Sequence, residues 1–245
     1  MSTMALSWTI RDTGAVRSAL EGLVRRRYLV AGFAIGFPVV FYLLLLGALV
    51  VRYGDWPNYL TPYNWPANVW HIAASTGSFA DIVKIAADEW LLEVGSMNYD
   101  YGNGVADWSL SILPHKLAIL SLAGALIGLN AALLLEHKPP ETLRRQIAQA
   151  CRLGLLTSAG ALGAGVTNAT VFSVVHCATP SWVGSLAVLG FDSYDLFAIE
   201  PYGPIICATG LAALAASALL IVRDGRAAEF TPSPATKEFA PCRAA

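Results

Sequence analysis

The chain has 245 residues, of which 56% are hydrophobic and only 13% are charged, and its mean hydropathy is +0.54. Soluble domains carry about a quarter charged residues, so this composition excludes an ordinary soluble domain and indicates a membrane protein. The net charge of −1 argues against nucleic acid as a partner. A chain of this length with several membrane crossings forms one membrane domain and leaves no room for a separate soluble catalytic domain.

The first segment, residues 1–27, precedes the apolar part of the chain. Val16, Leu20, Leu23 and Val24 share one helical face, with arginines around them. This pattern predicts an amphipathic lead-in helix on the anionic cytoplasmic surface of a membrane, and a solvated helix is the alternative.

Four long apolar stretches predict four transmembrane helices. At 1.5 Å per residue each one can cross about 30 Å of hydrocarbon, and only helices satisfy their own backbone hydrogen bonds there. A fifth crossing through residues 181–199 would bury Asp192 and Asp195 in lipid, which is costly. The predicted fold class is therefore an all-α integral membrane protein. Its spans are Tyr28–Val51, Lys116–Glu136, Leu153–His176 and Gly203–Val222.

The basic residues predict the orientation. All but three of the 16 lysines and arginines precede the first span, join the second span to the third, or follow the fourth. Basic loops are retained in the cytoplasm, so both termini should be cytoplasmic. The chain has no organellar transit signal, and we expect a multi-pass protein of a bacterial inner membrane. Residues 28–222 form the membrane domain, and the proline-containing residues 223–245 are predicted to be a disordered cytoplasmic tail.

The long outer loop, residues 52–113, is rich in aromatic residues. Ser78 can cap a helix that runs from Phe79 through Trp90 to Val94 with apolar residues at three- and four-residue spacing. Tryptophan prefers the level of the lipid headgroups, so the loop is expected to be a lid on the outer membrane surface. A lid whose aromatic residues dock on a partner protein is the alternative. The predicted interface residues are Trp56, Trp65, Trp70, Trp90 and Trp108.

Small residues in the second and third spans predict close helix packing. Small side chains let helix backbones approach each other in a membrane, and buried amide side chains can form hydrogen bonds between helices. The predicted packing residues are Gly124, Gly128, Gly154, Ser158, Gly163, Asn130 and Asn168.

Histidine and cysteine side chains concentrate on the outer side of this topology. His115 begins the second span, His176 and Cys177 end the third, and Cys207 lies one turn into the fourth. Imidazole and thiolate together suit copper or zinc, and His71 in the outer loop is a further candidate ligand. The two thiols could instead form a redox pair, or simply be two small buried side chains.

The segment that follows Cys177 is apolar but too short to cross, and Pro180 interrupts it. It is a candidate re-entrant half-helix. Three functions remain open. The first is a non-catalytic membrane subunit or assembly protein, in contact with lipid and with other subunits or further copies of itself. The second is a metal or thiol-redox carrier that uses His176, Cys177 and Cys207. The third is a component of a copper-type membrane metalloenzyme.

Overall fold

The computed structural model describes residues 26–101, 104–136, 143–169, 171–173, 182–188, 190–191 and 198–229. Seven helices and four strands lie within these ranges, and helices predominate. In chain order they are α1 (Arg27–Tyr53), β1 (Tyr59–Pro62), α2 (Trp65–Ser75), α3 (Phe79–Asp88), β2 (Leu92–Asn98), β3 (Val105–Ile112), α4 (Pro114–Glu136), α5 (Leu143–Val166), β4 (Val171–Ser173), α6 (Trp182–Val188) and α7 (Gly203–Glu229).

Three helices are long and apolar enough to cross a membrane. The qualifying segments are Arg27–Tyr53, Pro114–Leu135 and Glu200–Arg223, which include the first, second and fourth predicted spans. At most 39% of their most apolar windows is buried within the protein, so most of that apolar surface needs lipid or another apolar partner. Three helices of this length and apolar composition are compatible with a membrane protein.

The third predicted span differs from the structure. Its helix, α5, ends at Val166, and its apolar part is the shorter segment Gly154–Val166. The Thr167 hydroxyl donates back to the carbonyl of Gly163 at 2.8 Å, which draws the chain out of the helix. Beyond this turn the chain is extended and forms β4, so the prediction of a continuous helix to His176 is corrected here.

The long helices pack in a defined order. Gly124 and Gly128 of α4 lie against Phe33 and Val30 of α1, so these two helices run antiparallel. Arg26 fits this arrangement, because its guanidinium donates to the carbonyl of Leu135, near the other end of α4.

The second pair consists of α5 and α7. Gly160 lies against Gly210, and Gly163 lies against Ile206, so this pair is also antiparallel. Contacts between Leu133 of α4 and Ile221 of α7 join the two pairs.

A four-stranded antiparallel sheet, in the order β1-β2-β3-β4, lies at one end of the bundle. The all-α prediction missed it. Helix α3 ends at Asp88 because Glu89 has extended backbone angles, so Trp90 and Val94 are not helical and Val94 belongs to β2. The predicted lid therefore contains both sheet and short helices, and we name this part of the molecule (β1–β4, α2 and α3) the outer domain after its predicted position.

The strands β2 and β3 form a hairpin. The backbone N–H of Asp100 donates to the side chain of Asn98 at 2.9 Å, and Gly104 takes a positive φ of 92°. Glycine adopts this left-handed backbone without strain. The hairpin turn places β3 directly beside β2, and β3 leads into the first turn of α4.

The main hydrophobic core lies between the sheet and α1. Trp108 and Leu110 of β3, together with Val171 of β4, join Leu45 and Leu49 of α1 in one buried cluster. Trp108 is 0% exposed and its ring stacks on Tyr53. This cluster attaches the outer domain to the first membrane helix.

The predicted re-entrant segment contains a short helix, α6. Its residues Trp182 and Val183 are buried, and Gly184 lies against the carbonyl of Val171 in β4. The Trp182 indole donates to the carbonyl of Glu200 at 3.3 Å, just before α7 begins. This helix therefore packs on the sheet and on the start of α7. The helix α7 itself continues to Glu229, which is seven residues beyond the predicted end of the fourth span.

Candidate functional site

The most polar arrangement in the outer domain centres on Glu93 in β2. Its carboxylate accepts one hydrogen bond from each of two tyrosines, from the Tyr59 hydroxyl at 2.9 Å and from the Tyr63 hydroxyl at 2.8 Å. Tyr59 reaches Glu93 across Gly95, where any side chain would collide with the tyrosine ring. All three polar side chains are half-buried. The local sequence therefore builds a carboxylate clamped by two phenols.

Both tyrosines are held in the neutral form. Burial raises the pKa of Tyr63 to about 12, and the hydrogen bond to Glu93 and the charge of that carboxylate act in the same direction. The pKa of Tyr59 is raised further, again mainly by burial and then by Glu93, against a smaller opposing hydrogen bond with Ser109. Both hydroxyls consequently remain hydrogen-bond donors across the physiological pH range.

Helices α2 and α3 are fastened beside this cluster. The Trp65 indole donates to the carbonyl of Ala86 at 3.0 Å, and the Asn68 side chain donates to Glu89 at 2.6 Å. Trp90 meets Tyr63 edge to face, with 5.6 Å between ring centroids. These contacts connect the two short helices to the polar face of the sheet.

His115 connects α3 to the start of α4. Its Nδ1 lies 2.8 Å from the carbonyl of Ala87 and 3.4 Å from the carboxylate of Asp88. A neutral ring that donates from Nδ1 to Ala87 presents Nε2 as an acceptor.

The next residue, Lys116, is half-buried and donates to the carbonyl of Ala169 at 3.4 Å, just past the end of α5. A cation at this position stabilises the negative end of a helix.

The predicted metal ligands that the structure describes lie on three different helices. His71 lies on an exposed turn of α2, His115 is at the start of α4, and Cys207 is in α7. His176 and Cys177 lie outside the described residues. Among the residues that are described, no three histidine, cysteine, aspartate or glutamate side chains come together as a metal site.

Cys207 is a half-buried free thiol. The side-chain amide of Asn168 donates to its sulfur at 3.3 Å, and the same amide donates to the carbonyl of Ala164 at 2.7 Å. Asn168 is itself buried. The thiol is therefore part of the contact between the end of α5 and the first turns of α7.

The residues predicted to pack helices fall into two groups. Gly124, Gly128 and Gly163 lie at helix contacts, where an added Cβ would meet neighbouring atoms, whereas Gly154 has nothing within 4 Å and Ser158 is exposed. Asn130 is buried and donates to the carbonyl of Leu214 at 3.1 Å.

The same amide group receives a hydrogen bond from α7. The hydroxyl of Ser217 donates to Asn130 Oδ1 at 2.9 Å, so the carbonyl and the amino ends of the side chain are both paired. This reciprocal pair connects α4 and α7 in the apolar part of the bundle. Gly210 of α7 was not among the predicted packing residues, although a Cβ added at Gly160 of α5 would lie 2.6 Å from its carbonyl oxygen.

The predicted interface tryptophans lie in three environments. Trp56 and Trp70 are 79% and 77% exposed, Trp65 and Trp90 are half-buried, and Trp108 is completely buried. Trp108 has no exposed surface, because the register of β3 places its side chain against α1.

The tyrosine–glutamate cluster was also missed by the sequence interpretation, which treated Tyr59 and Tyr63 only as aromatic residues. One pattern in the sequence could have indicated the paired strands. Glu93 and Gly95 alternate with apolar residues, and so do Ser109 and Ser111, which is typical of strands with one apolar face.

Comparisons of the chain with models of protein families, with curated proteins and with solved structures found no match.

Proposed function

We propose that this chain is a non-catalytic integral membrane subunit or assembly protein that acts through helix packing and through its outer domain. The observation that supports it most directly is a folded domain fixed to the membrane helices that displays large aromatic side chains outward. Trp70 of α2 and Phe79 of α3 are 77% and 79% exposed. Exposed aromatic residues of this size are typical of contacts with lipid headgroups or other proteins.

The position of these aromatic residues favours contact with the membrane surface. Helix α3 is held by His115 at the first turn of α4, which is the point where that apolar helix begins. The short helices therefore lie near the level of the lipid headgroups, where tryptophan is favoured. We propose a lid of this kind on the outer leaflet.

We further propose four crossings, with both termini in the cytoplasm of a bacterium. The antiparallel packing of α5 on α7 supports the additional crossing, because α5 then runs alongside a complete apolar helix. The basic residues at the other end of α5, Arg144 and Arg145, support the cytoplasmic assignment of that end.

Native mass spectrometry of the protein extracted from its own membrane in mild detergent tests the subunit role. A complex with other chains or with further copies of this chain supports the proposal. A chain that remains monomeric at every detergent concentration contradicts it. A metal ion retained on a bare chain would favour the carrier or metalloenzyme functions, and His115, His176, Cys177 and Cys207 would then be substituted first.

Site-specific photocrosslinking tests the lid. A photoreactive phenylalanine derivative at position 70 or 79 should crosslink to lipid. The same group at Tyr99, which is exposed in the hairpin turn, should crosslink less to lipid and serves as the matched control. Crosslinks from position 70 to a protein of defined mass would instead identify a partner docked on the lid.

A further inference from the structure

The two faces of the outer sheet differ in chemistry. The strand register places Val94, Trp108 and Leu110 on the face that packs on α1. Since alternate residues of a strand point to opposite faces, Glu93 and Ser111 belong to the other face, together with Tyr59. One face of the sheet is therefore apolar, and the other carries hydroxyl and carboxylate oxygens.

One buried oxygen on this polar face lacks a partner among the described residues. Ser111 is 0% exposed, and no described residue forms a hydrogen bond with its hydroxyl. The register pairs Ser111 directly with Glu93, and side chains paired in this way have Cβ atoms about 5 Å apart. A buried hydroxyl is normally paired, so this one has an oxygen available for a ligand on the same face as the carboxylate.

The carboxylate also retains binding capacity. Each of its oxygens accepts one tyrosine hydroxyl, and a carboxylate has about four acceptor positions. Within the described residues, no lysine, arginine or histidine forms an ion pair with Glu93. A carboxylate whose side-chain partners among the described residues are two hydroxyl groups favours one positive charge that prefers oxygen ligands.

We propose that Glu93, Ser111, Tyr59 and Tyr63 form a binding site for a small monovalent cation, either sodium or a primary ammonium group. The carboxylate supplies the charge and Ser111 supplies a ligand oxygen at the inner end. The two tyrosines fix the carboxylate, and each hydroxyl oxygen keeps lone pairs for the cation. The half-buried tyrosines and Glu93 form the accessible end of the site, and the fully buried Ser111 forms its closed end.

Thermal unfolding of the full chain in detergent tests this proposal at constant ionic strength. The salts are sodium chloride, methylammonium chloride and the chloride of the bulky cation N-methylglucamine. Sodium or methylammonium at saturation should raise the unfolding midpoint by about 5 °C relative to N-methylglucamine. A rise with sodium alone assigns an alkali metal site, and a rise with methylammonium alone assigns an amine site.

Substitutions locate the effect. Ser111→Ala should weaken cation binding about tenfold, and Glu93→Gln should abolish the shift. Ser96→Ala is the control, because Ser96 is a buried serine on the other face of β2 and should retain the full shift. Equal midpoints in all three salts would overturn the proposal, as would an unchanged shift in both site variants.

A second measurement covers the case in which Ser111→Ala does not fold. Sodium or methylammonium titrated into the unaltered chain should give a saturable change in the near-ultraviolet absorption of tyrosine. Tyr63→Phe should reduce that change, because it removes one of the two reporting phenols. A titration with no saturable change would contradict a cation bound beside these hydroxyls.

Discussion

The helix bundle and the outer domain are stabilised by different kinds of contact. In the bundle, backbones approach each other directly, as where Gly160 of α5 lies against Gly210 of α7. In the outer domain, polar side chains make many of the connections, as where two tyrosines clamp Glu93. The close helix contacts require glycine, which has no side chain. The contacts around Glu93 require tyrosine hydroxyls that keep their protons.

This difference follows from the two surroundings. Apolar surroundings provide little hydrophobic drive between helices, so close packing and a few buried amides must hold them together. The outer domain faces water on one side and packs Trp108 against α1 on the other, so it can use both an apolar core and hydrogen-bonded polar groups. The bundle should therefore respond to changes of volume, and the outer domain to changes of pH.

The largest effect is expected from added volume in the bundle. In Gly160→Ala the new Cβ would lie 2.6 Å from the carbonyl oxygen of Gly210 and 2.8 Å from Leu214. The helices must separate, and we expect the free energy of unfolding in detergent to fall by about 2 kcal/mol.

Gly154→Ala is the matched control on the same helix. A Cβ at Gly154 meets nothing within 4 Å, so this variant should be neutral or slightly more stable, because alanine favours helix. Equal losses of stability in the two variants would show that the collision with α7 does not cause the loss in Gly160→Ala.

The next effect concerns the buried amide in the bundle. Asn130→Ala removes hydrogen bonds to Leu214 and Ser217 of α7, and should cost about 1 kcal/mol of unfolding free energy. Ser217→Ala should cost less, because that hydroxyl also donates to a carbonyl of its own helix. A double-mutant cycle measures their coupling, and additive effects would refute a direct interaction between the two side chains.

The outer domain should lose stability at high pH. The folded-state pKa of Tyr63 is raised from 10.0 to about 12, so neutral Tyr63 stabilises the fold fully below pH 10. That contribution is lost as the pH rises from 10 towards 12. Absorbance of tyrosinate should show a late phase whose amplitude falls by one tyrosine in Tyr63→Phe relative to the unaltered chain, because Tyr59 still contributes to that phase. A titration that is identical in the two chains would contradict the clamp.

The sequence predicted the apolar helices well because length and hydropathy determine them almost alone. Arg27–Tyr53 and Pro114–Leu135 agree with the first and second predicted spans to within two residues at every boundary. The sequence also predicted Gly163 and Asn130 as helix-packing residues. It could not say which helix each residue meets, because small side chains identify a contact surface but carry no information about the partner.

The sheet was missed for a different reason. Trp90 and Val94 continue the four-residue spacing of α3, so helical periodicity appeared to extend beyond Asp88. The pairing of β2 with β1 and β3 overrides that local pattern. The clamp on Glu93 depends on this pairing and on the reach of Tyr59 from another strand, so spacing alone could not indicate it.

The smallest effect tests the part of the outer domain where local sequence and structure agree. The N-terminus of α3 is capped by Ser78, whose hydroxyl accepts from the backbone N–H of Asp81 at 3.4 Å. Ser78→Ala should cost about 0.5–1 kcal/mol, expressed as faster hydrogen exchange at residues 80–82 only. Ser75→Ala, at the C-terminal end of α2, is the control and should leave α3 unchanged. Faster exchange in β2 as well would mean that α3 and the sheet open together, so that the outer domain responds to local defects as one cooperative unit.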